Sequence, residues 1–184
     1  MNNQLKYKLD TAGIIAFVVG VLLIMGICAH FFRDTFYEEE IIRNVSIEWI
    51  IAFCATLFGP ITGGLTGFLG VVCASAVSSG SIAFGEAVAF GVYGIFIGQF
   101  ADKYYIRESQ FTVKRAILWN LVHVAGLIAS FIFVKPGIDF MLYSRGLFTA
   151  IRLGTRVVYY CFVPTGIILT ILFLLISRVF QNKK

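Results

Sequence analysis

Arg145, Arg152 and Arg156 fall at helical spacing together with Thr149 and the pair Tyr159/Tyr160, so they would line one stripe of a single helix. Arginines one turn apart repel, and each is costly near lipid unless something compensates it. Three readings are open: the arginines pair with Glu48 and Glu86, they contact an anionic or strongly polar ligand, or they point outward into solvent. Glu86 and Tyr93 lie two turns apart on one helix face. A carboxylate there should face a bundle interior or a wet cavity, where it can accept hydrogen bonds from a ligand or pair with an arginine.

Other polar groups are sparse. Glu48 and Trp49 open an apolar stretch; the tryptophan is an interfacial anchor or a stacking surface for a ligand ring. Asn120 and His123 lie one turn apart, suited either to hydrogen bonding between helices or to a ligand. The two histidines, His30 and His123, do not make a metal site. The four cysteines (Cys28, Cys54, Cys73, Cys161) stand singly in apolar runs and read as small buried hydrophobes. No metal and no cofactor are expected.

The elements that must position these groups are set by the solvent. The chain has 184 residues, 59% hydrophobic and only 14% charged, against about a quarter charged in a soluble domain. Most of it folds in a bilayer as a single integral membrane domain, 1–184. A helix rises about 1.5 Å per residue and must cross about 30 Å of hydrocarbon. Six spans are expected, at about 12–31, 46–58, 61–77, 82–101, 115–134 and 148–177. No charge occurs between Glu48 and Glu86, and one helix over that stretch would be about 55 Å long, so Gly59-Pro60 is the expected break. The fold class is an all-α membrane protein, a six-helix bundle. A cleaved leader is not expected, because no small-residue cleavage site follows the first apolar run.

Orientation follows from the basic residues. With the N-terminus inside, the inner segments hold Lys6, Lys8, Lys103, Arg107, Lys114, Arg115, Arg178, Lys183 and Lys184; the outer ones hold Arg33, Arg43, Lys135, Arg145, Arg152 and Arg156. That favours both termini in the cytoplasm. Arg33 through Arg43, with Glu38-Glu39-Glu40 at its centre, and the segment Val134–Tyr143 then form two outer loops, the second of lid-like size, above the arginine stripe. Ala12, Ala16 and Gly20 recur every four residues on the first span, a spacing that lets a partner helix approach closely.

Several function classes are absent. No HExxH, GxSxG or Walker motif occurs, and no pair of mid-membrane aspartates, so an enzyme is not expected. The net charge of +5 reports membrane-flanking loops rather than nucleic-acid binding.

The segment Ile47-Glu48-Trp49, leading into Leu57-Phe58-Gly59-Pro60-Ile61-Thr62-Gly63-Gly64-Leu65-Thr66-Gly67-Phe68-Leu69-Gly70, resembles the substrate-binding (S) components of energy-coupling factor (ECF) transporters, an ABC-type vitamin-uptake family. The Gly91 to Gly98 run followed by Gln99-Phe100-Ala101-Asp102-Lys103 carries the same likeness, nearest to the riboflavin-transporter-like and UPF0397 groups. Ala12-Gly13-Ile14-Ile15-Ala16 matches the AxxxA motif by which such components dock. The resemblance implies a multi-pass protein of the bacterial plasma membrane that captures a vitamin or related micronutrient at its outer face. It implies as partners a membrane coupling subunit and two ATPase subunits. Positions able to serve the pocket are Glu48, Trp49, Glu86, Tyr93, Asn120, His123, Arg152, Arg156 and Tyr159; Ala12, Ala16 and Gly20 would serve docking. The arginines, carboxylates and many aromatics suit a flat polar heteroaromatic of pyridine or pyrimidine type. The alternative is a structural or assembly subunit of a membrane complex with no ligand of its own.

Overall fold

The computed structural model describes residues 20, 40–104, 106 and 111–181. Helices α1 (Glu40–Phe58), α2 (Pro60–Ser79) and α3 (Phe84–Gly98) run up and down in sequence, followed by the single turn α4 (Ala101–Tyr104). Helix α5 (Val113–Ile128) passes through a π-helical segment, Ala129–Val134, into α6 (Lys135–Tyr143), and α7 (Leu147–Gln181) closes the bundle. No strand occurs among the described residues. Three stretches are long and apolar enough to cross a membrane: Pro60–Val77, Val113–Tyr143 and Leu147–Arg178. Ser46–Phe58 and Phe84–Gly98 are shorter apolar helices. The expected first span lies outside the described residues except for Gly20, which is helical.

The break between α1 and α2 has a local cause. Gly59 takes φ 90°, a region open to glycine, and Pro60 follows at the first helical position, where its missing N–H leaves no bond unmade. The next reversal uses the same device at Gly80, with φ 68° and its N–H on the Ala76 carbonyl at 3.1 Å. Helices α2 and α3 meet backbone to backbone. A Cβ on Gly94 would land on the Gly63 carbonyl oxygen, so no larger residue fits that crossing.

Helix α3 is the hub, touching α1, α2, α5, the π segment and α6. Its Phe90, Tyr93 and Ile97 are fully buried. Around them the aromatic side chains interlock: Phe90 meets Phe131 edge to face at 4.8 Å, and Phe173 lies 5.4 Å from Trp119 and 6.0 Å from Phe53. One end of the bundle gathers Gly59, Gly98 and the close of α7, where the Phe111 N–H bonds Ser177 Oγ at 3.2 Å. The start of α7 lies at the other end.

Two expected outer loops are corrected. The expected loop ending at Arg43 gives way to helix already at Glu40, where α1 begins. Val134–Tyr143 is not a loop but helix. Pro136 reads as a breaker in sequence, yet it sits in the first turn of α6, where a proline is tolerated. The π segment carries the chain into it, with the Lys135 N–H reaching back to the Ser130 carbonyl. The stop comes at Ser144, which takes φ 50°.

Candidate functional site

Glu48, Tyr93, His123 and Thr165 come from α1, α3, α5 and α7 and meet in the middle of the bundle. The Tyr93 hydroxyl donates to Glu48 Oε1 and the Thr165 hydroxyl to Glu48 Oε2. His123 Nδ1 lies 3.0 Å from the Tyr93 oxygen and 3.6 Å from Glu48 Oε1. The Tyr93 proton is committed to the carboxyl group, so Nδ1 is assigned the hydrogen and donates to the phenolic oxygen. That leaves Nε2 as an acceptor, buried and without a hydrogen-bond partner among the described residues.

The surroundings hold this group in place. Trp119 lies 5.0 Å from the His123 ring, and its Nε1–H donates to Thr56 Oγ1 at 2.9 Å. Thr56 in turn donates to the Ala52 carbonyl at 2.7 Å. Phe162 flanks the imidazole at 6.0 Å. Pro164 interrupts α7 one residue before Thr165 and removes an N–H from the helix ladder there. In hydrocarbon, where free polar groups find no water, this network satisfies both oxygens of a carboxyl group and one imidazole nitrogen and leaves the other nitrogen as its open position.

The other sequence candidates fall elsewhere. Glu86 is buried in the first turn of α3. Asn120 donates to the Ala116 carbonyl at 2.9 Å and to Thr170 Oγ1 at 2.8 Å, joining α5 to α7 beside a largely apolar surface groove. It does not turn toward His123's partners. Trp49, Arg152, Arg156 and Tyr159 are exposed. Arg152 and Arg156 pair with no carboxylate among the described residues, and Glu48 is spent on Tyr93 and Thr165. Of the three readings open for the arginine stripe, pairing with Glu48 is set aside: α1 is rotated so that Glu48 points into the core. Ala12 and Ala16 lie outside the described residues, and a Cβ on Gly20 would meet nothing within 4 Å.

A second polar cluster, missed in sequence, sits near the start of α7. Asp139 and Lys135, both buried, pair at 2.8 Å, and Arg145 Nη1 lies 3.7 Å from the same carboxylate oxygen. A Cβ on Gly85 would collide with Asp139 Oδ1, so α6 lies tight against the head of α3. The available signal is the i, i+4 spacing of Lys135 and Asp139, which carries meaning only where the segment is helical. Thr165 carried no signal at all: it is one hydroxyl in a long apolar helix.

Residues 46–178 match the family described as "ECF-type riboflavin transporter, S component". A UPF0397 protein of Exiguobacterium sp. is 33% identical over 107 residues, covering 56% of this chain and 58% of the relative. One from Streptococcus thermophilus is 33% identical over 104 residues (55% and 58%), and one from Clostridium perfringens 32% over 109 residues (58% and 59%). The chain thus spans less than two thirds of these relatives. No solved structure matches it. With the match running from the start of the Glu48 segment to the last turns of α7, this helical membrane protein belongs to the ECF-type riboflavin transporter S-component family.

Proposed function

We propose that this chain is the substrate-binding membrane subunit of an ECF-type importer, capturing a vitamin-class heteroaromatic and passing it inward on a coupling subunit driven by two ATPases. The observation that carries the site is the Glu48–Tyr93–His123–Thr165 network, four polar groups from four helices converging in an apolar core. Such convergence inside a membrane bundle is characteristic of a substrate path. His123 Nε2 supplies an acceptor without a partner among the described residues, and the Trp119 and Phe162 rings beside it are flat apolar surfaces. This chemistry suits a ring with an N–H or hydroxyl donor, a class that includes the riboflavin named in the family description. Glu86 extends the polar lining toward the start of α3, and the Ala12/Ala16/Gly20 face is the surface for the coupling subunit.

The test is direct. The chain is purified in detergent, co-purified small molecules are identified by mass spectrometry, and riboflavin and a vitamin panel are screened by thermal shift. We expect one ring-bearing ligand to bind, with affinity reduced at least tenfold in Glu48→Gln and His123→Ala. A wild-type chain that neither carries nor binds any of them ends the proposal.

A further inference from the structure

Helix α7 carries its own depth gauge. Its charge-free stretch runs from Val157 to Ser177, between Arg156 and Arg178. Those twenty-one residues of helix span about 30 Å, the thickness of the hydrocarbon core. Arg156 then stands at the edge of that core and Arg152 about 6 Å further out, within the headgroup layer. Arg145 lies beyond it and is already engaged by Asp139. Tyr159 and Tyr160, packed edge to face at 5.4 Å and both exposed, occupy the turn just inside the boundary, where aromatic belts form.

The direction these arginines face is also set. Arg152, Arg156 and Tyr159 are exposed, and the same stripe continues down the helix as Val163, Ile167 and Ile171, each at least half exposed. An apolar stripe in a membrane bundle that no described residue covers faces lipid. The two guanidinium groups therefore head the lipid-facing stripe rather than the interior network. They have no carboxylate partner among the described residues, and arginine is the side chain best matched to a phosphate.

We infer that Arg152 and Arg156 form a binding site for the phosphodiester of an anionic phospholipid, with Tyr159 packing along its glycerol and upper acyl region. The occupant is a lipid rather than a soluble phosphate because the site crowns an apolar stripe that the acyl chains would cover. A headgroup with no cation of its own fits best, since a choline would compete with the arginines for the phosphate.

The experiment measures the thermal midpoint of the detergent-purified full chain titrated with phosphatidylglycerol, phosphatidylcholine or inorganic phosphate. Wild type, R152Q/R156Q and R152K/R156K are compared, with lipid retention read by native mass spectrometry. We expect phosphatidylglycerol to raise the wild-type midpoint and be retained, phosphatidylcholine to act at least tenfold more weakly, and R152Q/R156Q to lose the preference. If R152Q/R156Q does not fold, R152K/R156K must keep a weakened preference for phosphatidylglycerol; its complete loss there overturns the inference. So does undiminished phosphatidylglycerol retention by R152Q/R156Q. Equal stabilisation of wild type by inorganic phosphate marks a soluble-anion site and overturns it too. A glutamine variant weakened equally in both lipids marks a role within the protein, with the same consequence.

Discussion

Replacing Tyr93 by Phe removes one oxygen and keeps the ring. The packing volume is conserved, so no cavity term arises, and the effect isolates the hydrogen bonds. That oxygen serves two buried partners, Glu48 Oε1 and His123 Nδ1, which without it face only each other, 3.6 Å apart. Orphaning a buried polar group costs about 1–3 kcal/mol in water-soluble proteins, but polar pairs in membrane bundles average nearer 0.6 kcal/mol, because the membrane-embedded unfolded state also finds partners. Two lost bonds then place Tyr93→Phe about 1–3 kcal/mol below wild type. Thr165→Val removes a single bond, to Glu48 Oε2, and should cost about half as much. Both act on one carboxyl group, so the double variant should depart from additivity by at least about 0.5 kcal/mol. The assay is reversible unfolding in mixed micelles titrated with sodium dodecyl sulfate, every variant built on Trp49→Phe so that emission comes from Trp119, which reports the core because that ring lies against His123. A Tyr93→Phe protein as stable as wild type, or a Thr165→Val protein less stable than Tyr93→Phe, would refute the reasoning that Tyr93 bridges Glu48 and His123.

Three further outcomes are expected. Gly94→Ala drives a Cβ onto the Gly63 carbonyl, where backbone cannot yield, and should lower stability by about 1–3 kcal/mol in the same titration, with Ala87→Gly as a contrasting loss at a fully buried site on the same helix. Asp139→Asn strands Lys135 in a buried site and should cost about 3 kcal/mol or more, whereas the paired Lys135→Met/Asp139→Leu change should restore much of the loss; circular-dichroism melts compare them. Ala16→Leu should abolish uptake in cells while ligand affinity of the isolated chain is unchanged, since the added bulk holds a docking helix away; normal uptake would remove the docking assignment.

The solvent of this protein was legible from sequence, because long charge-free runs admit only helices that satisfy their own backbone in lipid. So was the break at Gly59-Pro60, whose cause is local: a positive φ and a proline at a helix start. The shared face of Arg152 and Arg156 also followed, since helical spacing is a property of one chain segment. What lies opposite that face was not a local property. Helix rotation, set by close crossings such as Ala55 on Gly63 and Gly154 on Phe131, turned Glu48 toward Tyr93 and Thr165 and left the arginines pointing out. Asp139 became the partner of Lys135 and Arg145 only because Val134–Tyr143 continued as helix past a proline that sequence rules treat as a stop. Spacing along a helix tells which side chains travel together; the packing of helices against one another, a sum of many contacts distant in sequence, decides what they meet.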